Sequence, residues 1–122
     1  MAGRDDIFLT VENGSIRGDK DMLVMLITNL CDNAKKAGAT RIEVNITGSG
    51  ISVKDNGRGI SKEDMKHIFE IFYQGDASRN QEGFGLGLAL CQRIAELHHS
   101  KLSVESSLQE GSIFLYNSLT TL

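Results

Sequence analysis

Apolar residues recur with two different periods along this 122-residue chain, and the switches between them mark out its elements. The apolar-rich run over residues 7–11 predicts a strand, with a short second strand near residues 15–17. From residue 19 to about residue 37 the period lengthens. Leu23, Leu26, Ile27, Leu30 and Ala34 follow the i, i+3, i+4, i+7 spacing of a helix with one face on a core. Asp19 is placed to cap the start of that helix and Gly38 to end it, because the residue after a last helical turn often adopts a left-handed conformation. Over residues 41–47 apolar and polar positions alternate, with Ile42, Val44 and Ile46 on one face. Gly48-Ser-Gly50 predicts a hairpin turn, and residues 51–55 the returning strand. Ser61, followed by Asp64, has the Ser-x-x-acid form that opens a helix, here a short one to about residue 68. Residues 74–85 carry few large apolar groups and read as a mobile loop. A helix follows over residues 86–98, and strands over 101–106 and 112–117 form a second hairpin across residues 109–111.

The order ββ-α-ββ-α-loop-α-ββ predicts an α+β fold: an α/β sandwich with a mixed, mostly antiparallel sheet covered on one face by helices. One core and one domain, residues 1–122, are expected at this length. Hydrophobic residues at 40 % and charged residues at 24 % are ordinary for a soluble globular chain. A net charge of −3, with no Lys/Arg run longer than two, gives no nucleic-acid surface. No apolar stretch is long enough for a membrane span. Cys31 and Cys91 lie in apolar helical contexts without a C-x-x-C, as reduced core cysteines of a cytosolic protein do. His67, His98 and His99 fit solvated or helix-C-terminal positions.

Three clusters could carry chemistry. Asn29 and Asn33 stand four apart on the long helix, with Lys36 continuing the row, opposite the core stripe. An exposed solvated face explains them, and so does ligation, since carboxamide oxygens suit Mg²⁺ and Lys36 suits a phosphate. Asp55 shares the inward parity of Ile51 and Val53. It is either a turn aspartate capping Asn56-Gly57 or a carboxylate that accepts from a buried amino group such as that of adenine. Gly57 and Gly59 would let backbone approach a flat ring. Gly83-x-Gly85-x-Gly87 leads into a helix, which is the recipe for a phosphate cradle: free amides, no Cβ atoms and a helix dipole. Residue 88 is Leu and no strand precedes, so this is not the dinucleotide fingerprint, and no P-loop sequence occurs.

Taken in order, these segments resemble the boxes of sensor histidine kinases. Asn29-Leu-Cys-Asp-Asn33-Ala-Lys-Lys36 resembles the N box and Val53-Lys-Asp55-Asn-Gly57-Arg-Gly59-Ile60 the G1 box. Ile68-Phe-Glu-Ile-Phe72-Tyr73 resembles the F box and Gly83-Phe-Gly-Leu-Gly-Leu-Ala-Leu90 the G2 box, while residues 111–114 look like the family's terminal strand. The match spans nearly the whole chain and sits within the ATPase superfamily of gyrase, the heat-shock chaperone and the mismatch-repair ATPases, whose fold is the Bergerat type.

The resemblance implies Mg-ATP binding and transfer of the γ-phosphoryl group to a histidine on a separate dimerisation domain. It implies Asn33 as the main Mg²⁺ ligand with Asn29 beside it, Lys36 at the phosphates, and Asp55 on the adenine amine. Gly57, Gly59 and Ile60 would shape the pocket. Phe69 and Phe72 would anchor a lid over residues 74–83 whose Arg79 meets the γ-phosphate. Gly83, Gly85, Leu86, Gly87 and Leu88 would line the triphosphate. The same resemblance implies a response regulator as partner, a monomeric isolated domain and a homodimeric longer protein. It also implies a cytoplasmic domain of a membrane-anchored whole, with the phospho-acceptor helices outside these residues. Ala37, Ile71 and Phe84 depart from the family's usual aromatic, proline and Thr/Ser at those positions. An anti-sigma-type serine kinase and a degenerate nucleotide-sensing module are the alternatives.

Overall fold

The computed structural model describes residues 8–12, 16–70 and 84–118, with residues 8–12 and 84–86 described by their backbone. Among the described residues, five strands and three helices run in the order β1 (Phe8–Glu12), α1 (Lys20–Lys36), β2 (Arg41–Ile46), β3 (Gly50–Asp55), α2 (Lys62–Met65), α3 (Phe84–Leu97), β4 (Ser100–Ser107) and β5 (Gly111–Ser118). One sheet holds all five strands in the order β1-β2-β3-β5-β4. β1 pairs parallel to β2, and the other three pairings are antiparallel. The sheet is thus mixed and mostly antiparallel, as the alternating pattern predicts.

Register explains which side of the sheet is covered. Val44, Val53, Phe114 and Val104 stand opposite one another across four strands, and Ile46, Ile51, Tyr116 and Leu102 form the next row. Most of these side chains are buried, whereas Glu43, Lys54 and Lys101 of opposite parity are exposed. The helices α1 and α3 lie on the apolar side. α1 contributes Leu23, Leu26, Leu30 and Ala34, and α3 contributes Leu88, Cys91, Ile94 and Ala95, to one core cluster. Leu26 and Cys91 are fully buried. Burial pushes the Cys91 thiol up to about 12, so it packs as a neutral group against the Leu26 carbonyl.

The helix ends follow the expected capping chemistry. The Asp19 side chain accepts from the Met22 amide at 3.0 Å, and Gly38 has φ +83° just past the end of α1. Ser61 Oγ accepts from the Asp64 amide at 3.0 Å. α2 nonetheless closes at Met65, and residues 66–70 continue as turns, so that helix is shorter than its sequence predicts. The second N-terminal strand is not formed by Ile16 and Arg17, and Ser15 lies outside the described residues. A different contact holds this stretch. The Asp19 amide donates to His98 Nε2 at 3.0 Å, and a side chain at Gly18 would strike Leu23 and His98. The chain therefore turns directly into α1.

His98 departs from the solvated reading as well. Its Nε2 accepts from Asp19, which leaves the proton on Nδ1 to be donated to the Ile94 carbonyl at 2.9 Å, with the ring edge-on to Tyr116. The expected loop over residues 74–85 falls mostly outside the described residues, as do Phe72, Arg79 and Gly83. Among the described residues no helix is long and apolar enough to cross a membrane.

Candidate functional site

The site begins at the end of β3. Inward parity carries Asp55 under the helical layer, where it is 5 % exposed. Its Oδ1 accepts from the Gly57 amide at 2.8 Å, so it caps the turn, and it does so from a buried position. Burial pushes the carboxyl above the usual aspartate range, while the amides of Gly57 and Ser112 pull it partly back. A carboxylate desolvated in this way favours any further donor that reaches it.

The loop after Asp55 is pinned on both sides. A Cβ on Gly57 would stand 2.8 Å from the Ala37 carbonyl oxygen and 2.9 Å from the Ala37 Cβ, so only glycine lets the loop lie on the end of α1. Gly59 has φ +79°, and a side chain there would run into the Ser107 carbonyl. Arg58 donates its backbone amide to Ala37 O at 2.9 Å and its guanidinium to Lys36 O at 3.0 Å, capping two terminal carbonyls of α1. Asn56 accepts from the Thr40 and Arg41 amides, both at 2.9 Å. On the opposite side Gln109 donates to Arg58 O, and the Ile60 amide donates to Ser106 Oγ at 2.8 Å. The loop is a rigid floor held between α1 and the β4–β5 hairpin.

The other end of the site lies where α1 meets α3. Asn29 Nδ2 donates to the Met25 carbonyl at 2.9 Å, which turns the carboxamide oxygen away from its own helix. That oxygen lies 3.3 Å from where a Cβ on Gly87 would stand, so the absent side chain lets the first turn of α3 approach Asn29. α3 starts at Phe84, about two residues earlier than its sequence predicts, so Gly85 and Gly87 both fall in its first turn. Amides of a first turn have no intrahelical acceptor. Asn33 and Lys36 lie half-buried on α1 between the two ends. From Asn29 to Ala37 the helix rises about 12 Å at 1.5 Å per residue. The loop after Asp55 therefore packs at the C-terminal end of α1, and the first turn of α3 lies beside Asn29, about two turns earlier on the same helix.

Residues 18–119 match the family described as "Histidine kinase-, DNA gyrase B-, and HSP90-like ATPase". The chain belongs to this ATPase family. Among curated proteins, it is 38 % identical to "Sensor histidine kinase YkoH" of Bacillus subtilis (strain 168), over 88 % of this chain and 25 % of that protein. It is 36 % identical to "Sensor histidine kinase RppB" of Synechocystis sp., over 93 % of this chain and 27 % of that protein. The chain thus spans about a quarter of the length of these relatives. Among solved structures, the ATP-binding domain of PrrB from Mycobacterium tuberculosis superposes with a TM-score of 0.71 at 26 % identity, covering 94 % of this chain and 82 % of that one. A mycobacterial sensor histidine kinase, MprB, gives 0.73 at 25 % identity, over 91 % and 80 %. The α+β sandwich is therefore the fold of histidine kinase ATP-binding domains.

Within this ATPase domain, Asn29, Asn33 and Lys36 share α1, Gly57 packs on Ala37 at the end of that helix and beside Asp55, and Gly87 faces Asn29, while Gly59 and Ile60 lie against the β4–β5 hairpin. The Leu88 side chain is buried in the core, so the role expected of it falls to its backbone amide. Phe69 packs against the core from the turn after α2, while Phe72, Gly83 and Arg79 lie outside the described residues. Reading the sequence missed Asn56, Arg58, Ser106 and Ser112. The two serines carried a signal, because each holds inward parity at a strand end where its neighbours Val104 and Phe114 are apolar.

Proposed function

We propose that this chain is the catalytic and ATP-binding domain of a sensor histidine kinase of a two-component system. In this reading adenine lies over the Gly57–Gly59 floor with its exocyclic amine on Asp55, and the triphosphate runs along α1 to the first turn of α3. The observation that carries it is the pairing of a buried carboxylate at one end of α1 with Asn29 and helix amides at the other. Asn29 and Ala37, on which the loop after Asp55 packs, stand about 12 Å apart by the helix rise. The relatives named as sensor histidine kinases favour this reading over a serine kinase or a degenerate sensor.

The residues suit Mg²⁺. Asn29 keeps its oxygen turned toward α3, and Asn33 stands one turn further on the same helix face. Neutral oxygen donors fit a hard cation that keeps waters and phosphate oxygens as its other ligands. When bound, the ion supplies charge neutralisation at the phosphates. Lys36 adds a positive charge to the row, and the first-turn amides of α3 add a fixed dipole. Arg79 and Phe72, outside the described residues, would act as lid residues in this reading. Catalysis is then positioning and electrostatics, with the acceptor histidine supplied by a dimerisation domain of the longer protein.

A response regulator would receive the phosphoryl group, and the longer protein would act as a homodimer with this domain on the cytoplasmic side of a membrane. Supplying the chain with such a helical acceptor domain and labelled Mg-ATP tests the proposal. Acid-labile phosphate on the acceptor histidine is expected, and phosphate confined to serine would overturn it.

A further inference from the structure

Three polar residues sit side by side at one end of the inner face of the sheet. Asp55 on β3 is the cross-strand partner of Ser112 on β5, and Ser112 is the partner of Ser106 on β4. Ser112 is 8 % exposed, and Ser106 is half-buried. Ser106 Oγ makes three hydrogen bonds: it accepts from the Ile60 amide at 2.8 Å, donates to the Gly111 carbonyl at 2.9 Å, and meets Ser112 Oγ at 2.8 Å. A hydroxyl has one proton and two lone pairs. An amide can only donate and a carbonyl can only accept, so two of the three bonds have fixed direction. The proton of Ser106 goes to Gly111, and its second lone pair is left for Ser112. Ser112 must therefore be the donor in the bond between the serines.

We infer that Ser106 is a positioning residue for nucleobase selection: by taking the Ser112 proton, it makes Ser112 Oγ an obligate acceptor beside Asp55. Cross-strand neighbours hold their Cβ atoms about 4.5–5.5 Å apart. Two acceptors at that spacing suit a primary amine, which carries two hydrogens, and repel a carbonyl oxygen. The pocket thus discriminates a 6-amino from a 6-oxo purine through two groups, and the second is set by a residue that never touches the base. The same hydroxyl holds the Ile60 amide, so it also ties the floor of the pocket to the hairpin. This inference rests on the proposal that adenine lies on Asp55.

Ser106→Ala releases the Ser112 hydroxyl to rotate and donate into the pocket. The ratio of ATP to inosine triphosphate affinity, measured by calorimetry on the whole 122-residue chain, is expected to fall roughly five-fold, the effect of about one net hydrogen bond. Ser106→Thr keeps the hydroxyl and is expected to restore the ratio. Ser112→Ala is expected to lower it, with Ser106→Ala adding nothing further in the double variant. If Ser106→Ala weakens both nucleotides equally, Ser106 only braces the loop and the inference is overturned while the adenine site stands. If the unaltered chain binds the two nucleotides equally, the adenine reading and this inference fall together. Where the alanine variant does not fold, Ser106→Cys gives the same comparison, and an unchanged ratio there overturns the inference.

Discussion

Replacing Asp55 by Asn separates what this residue does for binding from what it does for folding. The Gly57 amide needs an acceptor, and it holds Oδ1 at 2.8 Å. In Asp55→Asn the carboxamide oxygen takes that place, so the amide NH₂ takes the place of the other carboxylate oxygen. A donor then meets the exocyclic amine of adenine in place of an acceptor. A hydrogen bond to a charged acceptor contributes about 1.5–3 kcal/mol, so Mg-ATP affinity should fall about ten- to a hundred-fold. Stability should move the other way. Burial raises the Asp55 pKa above its ordinary 3.8, so the native state holds this proton to higher pH than the unfolded chain. The stability that this group contributes is fully present below its ordinary value and is lost as pH rises through the raised native value. At pH 7 the ionised carboxylate is a cost, and the neutral Asn removes it. Thermal unfolding at pH 7 should therefore show Asp55→Asn at least as stable as the unaltered chain, and this advantage should shrink as pH falls toward 4. A variant that loses ATP and also unfolds earlier at pH 7 would refute this division of roles.

Gly57→Ala should destabilise the fold by about 1–3 kcal/mol, since its Cβ meets the Ala37 carbonyl and neither backbone can yield; chemical denaturation reads this directly. Asp19→Ala removes an N-cap bond and should cost about 1 kcal/mol in the same assay, with nucleotide affinity unchanged. Ala37→Tyr should tighten Mg-ATP several-fold by covering one adenine face, as base–aromatic stacking is worth about 1–3 kcal/mol in single-strand binding proteins. No gain in a folded variant would mean that another side chain already closes that face. Incubated alone with labelled ATP, the chain should acquire no acid-labile phosphate, because none of its three histidines lies in a phospho-acceptor context.

Much of this site was legible because its parts obey local rules. The stripe from Leu23 to Ala34 and the alternation from Ile42 to Ile46 report burial through period alone, and all their apolar positions are buried except Ile27 and Ile46, which are half-buried against the core. Parity alone brought Asp55 inward. What stayed hidden depends on contacts between distant segments. The Asp19–His98 bond joins residues 79 apart, and the Ile60–Ser106 bond joins residues 46 apart. Neither has a spacing that a window of sequence can reveal. The helix predicted over residues 86–98 starts two residues late, since Gly85 is a poor helix former, yet α3 begins at Phe84. A Cβ at position 87 would stand 3.3 Å from the Asn29 side-chain oxygen, so glycine there eases the close packing of α3 on α1.

Adenine selection by the buried Asp55 is tested most directly by titrating the unaltered chain with Mg-ATP and, separately, Mg-GTP under identical conditions. ATP should bind with GTP at least about ten-fold weaker, since a 6-oxo group offers Asp55 an acceptor where a donor is needed. Equal affinity for the two nucleotides, in a chain that is folded by its thermal transition, would contradict it.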